Sequence, residues 1–263
     1  TTFLTPLIEL AAASSVDNAS HPAPRIILVS SSDAPRDNVA LTSIELERPQ
    51  TVAGLPAVAR VQVANYSRIA RDALTLEVAL DGVPQPSLRV ADLAPNATES
   101  VTFEVAFPAD GRSVLSVTAS PVDSFAMDDT VRRTVTVKPD LAVLLVNGAP
   151  AADPHADEVH LLRAALSPGG PLSSGVRADA VTADELSATS LAPYDAVFLC
   201  NVPAPEPAVA AALDAYVRAG GGLVFFLGNA IVDPDAYNRV FYVNRRLLPL
   251  PLESIGGTVG ASQ

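Results

Sequence analysis

The hydrophobic pattern of this chain changes period once, near Lys138, and that change requires two architectures in succession. Before Lys138, apolar and polar residues alternate in short runs. These are LTSIELE (41–47), AVARVQVAN (57–65), LTLEVAL (74–80), SLRV (87–90), SVTFEVAF (100–107), SVLSVTA (113–119) and VRRTVTV (131–137). Alternation at a period of two places one face of each run in a core and the other in water. Seven such strands, with turn signals every ~8–12 residues, predict an all-β, antiparallel, immunoglobulin-like sandwich over residues 38–138. Asp81-Gly82 is a hairpin signal, and Pro95-Asn96 and Asp110-Gly111 mark further turns.

From Asp140 the pattern becomes strand, helix, strand. LAVLLVNG is a continuous apolar run of the kind buried on both faces of a parallel sheet. ADEVHLLRAAL has helical spacing, VRADAV and YDAVFLCNV read as strands, EPAVAAALDAYVRAG as a helix, GLVFFLGN as a fourth strand and DAYNRVFYVNRRLL as a third helix. Such alternation predicts a doubly wound α/β domain over residues 139–263. RIILVS (25–30) and FLTPLIELAAA (3–13) read as a further strand and helix. Residues 1–37 are therefore expected to be the remnant of a preceding domain, or a linker.

Two domains fit a chain of 263 residues, about half of them hydrophobic. The formal charge of −12 argues against nucleic-acid binding and against docking on anionic lipid through a basic patch. A single cysteine, Cys200, excludes an intramolecular disulfide framework and a multi-cysteine zinc site. No apolar run reaches the ~18 residues of a membrane span.

The stretch AYVRAGGGLVFFLGN contains three consecutive glycines. A phosphate-binding glycine loop follows a strand and opens a helix, so that helix N–H groups face the anion. Here the helix comes first, so Gly220-Gly221-Gly222 are expected to end it. In open α/β sheets ligands bind beyond the carboxyl ends of the strands. Those ends are Asn147-Gly148, Cys200-Asn201 and Gly228-Asn229, and these six residues are the candidate ligand-binding positions. A nucleophile elbow would place Ser or Cys on the turn after the fourth strand. Leu227, Gly228 and Asn229 stand there instead.

The segments LAVLLVNGAP, DPHADEVHLLRAALSPGGPLSSGV, YDAVFLCNV, YVRAGGGLVFFLGN and DPDAYNRVFY resemble a flavodoxin-like domain, the class I glutamine amidotransferase-like domain of large bacterial membrane-anchored proteins. In that family a CARDB-like β-sandwich precedes it, with a von Willebrand factor A domain ahead of the sandwich and membrane helices of the Bat aerotolerance type before that. RDNVALTSIELERP is similar to the join before the sandwich, and PVDSFAMDDTVRRTVTV to its closing hairpin. The resemblance implies a cell-envelope protein on the periplasmic face of the inner membrane. It implies attachment to the membrane through segments outside this chain, with a protein or neighbouring domains as partner. It also implies that residues 139–263 stop short of a complete domain. Working members carry a cysteine in the elbow and a His and Glu further on. His21, His155 and His160 all precede the elbow position, so amidotransferase activity is expected to be absent.

Other clusters have simpler structural accounts. Cys200 is expected to be a core residue, with a reactive thiol as the alternative that would support hydrolase or transferase chemistry in the strand-end crevice. His155 and His160 are five apart, which puts them about 140° apart on a helix and off a shared face. Asp153 is expected to cap that helix, with Pro154 in its first position and Asp157-Glu158 at the positive end of its dipole. Asp123, Asp128 and Asp129 could offer oxygens to calcium but lack the spacing of a dedicated loop, so a solvated turn is expected. The sequons at Asn18, Asn65 and Asn96 are taken as chance. No metal and no cofactor are expected. The chain reads as a non-catalytic interaction or scaffolding module, with small-ligand binding at the strand ends as the alternative.

Overall fold

The computed structural model describes residues 37–123, 125–169 and 173–254. The segments RIILVS and FLTPLIELAAA, expected from sequence to be a strand and a helix, His21, the Asn18 sequon and residues 255–263 lie outside them.

All seven alternating runs form strands: β1 (Val39–Leu46), β3 (Pro56–Asn65), β4 (Arg71–Leu80), β6 (Leu88–Leu93), β7 (Thr98–Ala106), β8 (Gly111–Ser120) and β9 (Thr130–Lys138). Two short strands escaped the pattern, β2 (Thr51–Val52) and β5 (Val83–Pro84), because a pair of residues carries no period. One sheet has the order β1-β3-β7; the other runs β2-β9-β8-β4-β5, with β6 also on β4. The pairing is antiparallel except for β2 on β9. Val61 and Val63 from the first sheet share one core with Leu76, Leu115 and Val117 from the second. Full burial of each such side chain contributes about 2 kcal/mol. Asp81 and Gly82 both have positive φ, +50° and +81°, and set Leu80 opposite Val83, as a two-residue hairpin turn requires.

Beyond Lys138 four parallel strands take the order β11-β10-β12-β13: β10 (Leu141–Asn147), β11 (Val176–Thr182), β12 (Ala196–Cys200) and β13 (Gly222–Phe226). Alternate residues of β10 explain its continuous apolar run. Val143 and Leu145 face α1 (Glu158–Leu166), which contributes Val159, Leu162 and Leu166. Leu144 and Val146 face α2 (Pro207–Arg218) and α3 (Pro234–Asn238), with Leu213, Tyr216 and Tyr237. The triple glycine does end α2. Gly220 has φ +101°, its N–H donates to the Val217 carbonyl at 3.0 Å, and Gly221 donates to that of Tyr216 at 3.0 Å.

Two local expectations are corrected. Asp153 does not cap α1: its carboxylate accepts from the His155 N–H at 2.9 Å and closes a separate turn. The helix starts four residues later because Asp157 accepts from the N–H groups of Val159 and His160, at 2.9 and 3.0 Å. The third helix is also shorter than its pattern. After α3 the chain forms one π-helical turn, Arg239–Val243, which brings both Tyr237 and Phe241 onto Phe225. The Asn238 amide then binds the Leu252 backbone, donating to its carbonyl at 2.8 Å and accepting from its N–H at 2.7 Å, and so holds the returning segment.

Candidate functional site

Parallel pairing brings the six predicted positions to one edge of the sheet. Asn147 lies in register with Cys200, and Cys200 with Phe226, the last residue of β13. Asn201 follows at once, in left-handed backbone with φ +52°, a conformation Asn tolerates better than most residues. Its side chain fills the space between the loops. The amide Nδ2 donates to Asn229 Oδ1 at 2.8 Å and Oδ1 accepts from the Ala230 N–H at 2.8 Å, while only 4% of the residue is exposed.

Gly148 and Gly228 are here because Asn201 leaves no room. A Cβ on Gly228 would stand 2.5 Å from Asn201 Cγ, and one on Gly148 would stand 2.1 Å from the Asn201 carbonyl oxygen. Asn147 turns to the helix instead. Its Nδ2 lies 3.0 Å from both Asp157 oxygens, and its Oδ1 accepts from the Ala149 N–H at 3.1 Å. Burial works against the Asp157 charge. The N–H groups of His160, Ala151 and Val159 and the Asn147 amide outweigh it and hold the carboxyl below its ordinary value.

Cys200 is 2% exposed and packs with Val143, Leu145 and Val159. Burial, reinforced by the negative charges of Glu158 and Asp157, pushes its thiol up to about 11. At neutral pH such a group is a thiol, and the thiolate is the nucleophile. A cavity of about 170 Å³ adjoins it, bounded by Glu158, Leu162 and Phe226. A larger one of about 310 Å³ lies past the ends of β11 and β12, beside Asp184, Ser187 and Glu206, and is lined by none of the six positions. The sheet thus gathers the predicted residues, and their polar groups are spent on one another and on Asp157.

His155 sits in the turn before α1 and His160 on the helix, both exposed. Asp123, Asp128 and Asp129 do converge, with carboxylate oxygens within 4.8 Å of one another. They close the loop between β8 and β9. Asp123 accepts from the N–H groups of Val39 (2.6 Å) and Phe125 (2.7 Å), Asp128 from the Asn38 amide (2.9 Å), and Asp129 from the Asp123 N–H (3.1 Å). Among the described residues Asp128 Oδ1 is enclosed without a donor. Burial, with the charges of Asp123 and Asp128, raises the Asp129 carboxyl despite that N–H bond. The loop is solvated at its apolar tip, as a solvated turn would be, but its three carboxylates are turned inward and tie it to the strands.

Asn65 is a structural centre that the sequence reading passed over. Only 1% exposed, it donates to the carbonyls of Ile69, Leu93 and Ala94 and accepts from the Ser67 N–H and hydroxyl. Its sequon is therefore a structural motif in which Ser67 serves the fold.

No protein-family model matches the chain, and no curated protein matches it. Among solved structures it is similar to a CARDB domain from Pyrococcus furiosus crystallised in complex with di-metal ions. The two are 16% identical over 40% of this chain and 97% of that one, with a TM-score of 0.36. A domain of a protein assigned to the cell surface of Methanosarcina acetivorans is 14% identical over 39% and 93%, with a TM-score of 0.32. A β-glucosidase from Erythrobacter marinus is 18% identical over 39% of this chain and 16% of its own, with a TM-score of 0.30.

Proposed function

We propose that this chain is a non-catalytic interaction or scaffolding module of a bacterial membrane-anchored protein, facing the periplasm. The observation that carries the reading is Asn201. Its bonded side chain occupies the space between the loops after β12 and β13, beside a turn of Leu227, Gly228 and Asn229 where an amidotransferase elbow would present its cysteine. The strand order β11-β10-β12-β13 suits a degenerate flavodoxin-like, amidotransferase-like sheet. The CARDB-like identity of the sandwich and the envelope placement rest on the sequence resemblance. Among the described residues no helix is long and apolar enough to cross a membrane.

A contact surface is available at the end of the sandwich away from the join. Val122, Phe125 and Met127 project from the β8–β9 loop, with Met127 84% exposed. Exposed apolar groups gathered on one loop are a common feature of protein-contact sites.

The test is a turnover assay of the chain with glutamine and with a small activated ester, beside Cys200→Ser. The reading predicts hydrolysis at the uncatalysed rate for both proteins. Turnover by the wild type that Cys200→Ser abolishes would establish an enzyme.

A further inference from the structure

β9 ends at Lys138 and β10 begins at Leu141, so Pro139 and Asp140 alone connect the sandwich to the parallel sheet. A link of that length behaves as a hinge when nothing beside it touches, and relative motion is the ordinary expectation for two domains. Here both flanks of the link are tied.

On one flank the Lys138 ammonium pairs with the Asp195 carboxylate just before β12. The other oxygen of that carboxylate accepts from the Ala142 N–H at 3.0 Å, and the Asp195 N–H donates to the Ala142 carbonyl at 2.7 Å. The last residue of the sandwich is thereby attached to two neighbouring strands of the parallel sheet. On the other flank Asp140 pairs with Arg177 of β11 at 3.4 Å. Beside it Gly175, with φ +72°, leaves a seat for Leu55 of the sandwich. A Cβ at Gly175 would stand 2.3 Å from Leu55 Cδ1 and 3.1 Å from Val52 Cγ1.

Each side of that seat is fixed to its own half. The Ala53 N–H donates to the Lys138 carbonyl at 2.9 Å, next to the pairing of β2 with β9. The Gly175 carbonyl accepts from the Leu141 N–H at 2.7 Å.

We infer that the two halves form one rigid body, with the join held in a two-sided brace. β11 and β12 lie on opposite sides of β10, so a swing of the sandwich toward either strand must open the contacts on the other. The ion pairs are partly exposed and individually weak. The Leu55 seat is therefore the member whose loss frees the join. A partner engaging both halves would meet them at a set spacing and angle, whatever the module binds.

Residual dipolar couplings of the backbone N–H groups, measured on the full chain in a weakly aligning medium, test this. A single alignment tensor is expected to fit both halves of the wild type. Leu55→Asp is expected to require two tensors while chemical shifts in both cores stay in place. If Leu55→Asp does not fold, Leu55→Ala combined with Asp195→Ala replaces it. Separate tensors in the wild type would overturn the inference, and so would a single tensor in the folded variant.

Discussion

Asn201 and Asp157 do at the scale of single residues what the strand ends alone do not reveal. Asn147, Gly148, Cys200, Asn201, Gly228 and Asn229 were legible as a group, because the ends of parallel strands must share one edge. Their occupation was not legible. Whether an asparagine faces a ligand or a neighbouring loop depends on backbone direction after the strand, and the positive φ of Asn201 leaves no periodic trace. Asp157 ties α1 to the end of β10 through Asn147. Replacing it by Ala removes the cap and should cost about 1–2 kcal/mol at pH 7. The native carboxyl lies below its unfolded value. Its contribution is therefore present above pH ~4 and lost as pH falls through the lowered native value. Urea unfolding of Asp157→Ala and wild type should show a gap that narrows near pH 3. An equal gap at both pH values would mean that charge plays no part in the cap.

At the scale of elements the sequence was informative wherever burial is periodic. Every alternating run became a strand because its face had a single core to enter, and Asp81-Gly82 set its hairpin because only residues tolerant of positive φ suit that turn. Boundaries were less legible. The turn closed by Asp153 and the cap formed by Asp157 have the same local chemistry. Only the apolar face of Val159, Leu162 and Leu166 decides which opens the helix. Asn65 is the polar counterpart of such a face, joining the end of β3 to the segments around Ile69 and Leu93. When its amide is removed the Ser67 N–H loses its acceptor and three carbonyls lose a donor, although that of Ile69 keeps the Ser67 hydroxyl and that of Ala94 the Ala97 N–H. Asn65→Ala is expected to destabilise the sandwich by about 2 kcal/mol, since the buried groups left without a partner bear their desolvation cost. Thermal unfolding measures this, and a loss under about 1 kcal/mol would show that water replaces the amide.

At the scale of the molecule, a sandwich and a parallel sheet meet across two residues, and the brace on both flanks was invisible in sequence. Gly175, Leu55, Lys138 and Asp195 are scattered along the chain, and each looks ordinary where it stands. The same holds for the closure of the strand ends, on which the non-catalytic reading rests. That closure is tested most directly by the rate at which Cys200 of the native chain reacts with N-ethylmaleimide at pH 7, compared with the unfolded chain. The enclosed, protonated thiol predicts labelling limited by unfolding, at least a thousandfold slower than in denaturant if the opening is global. Rapid stoichiometric labelling of the folded protein would contradict it and would mark the strand-end crevice as an open, reactive site.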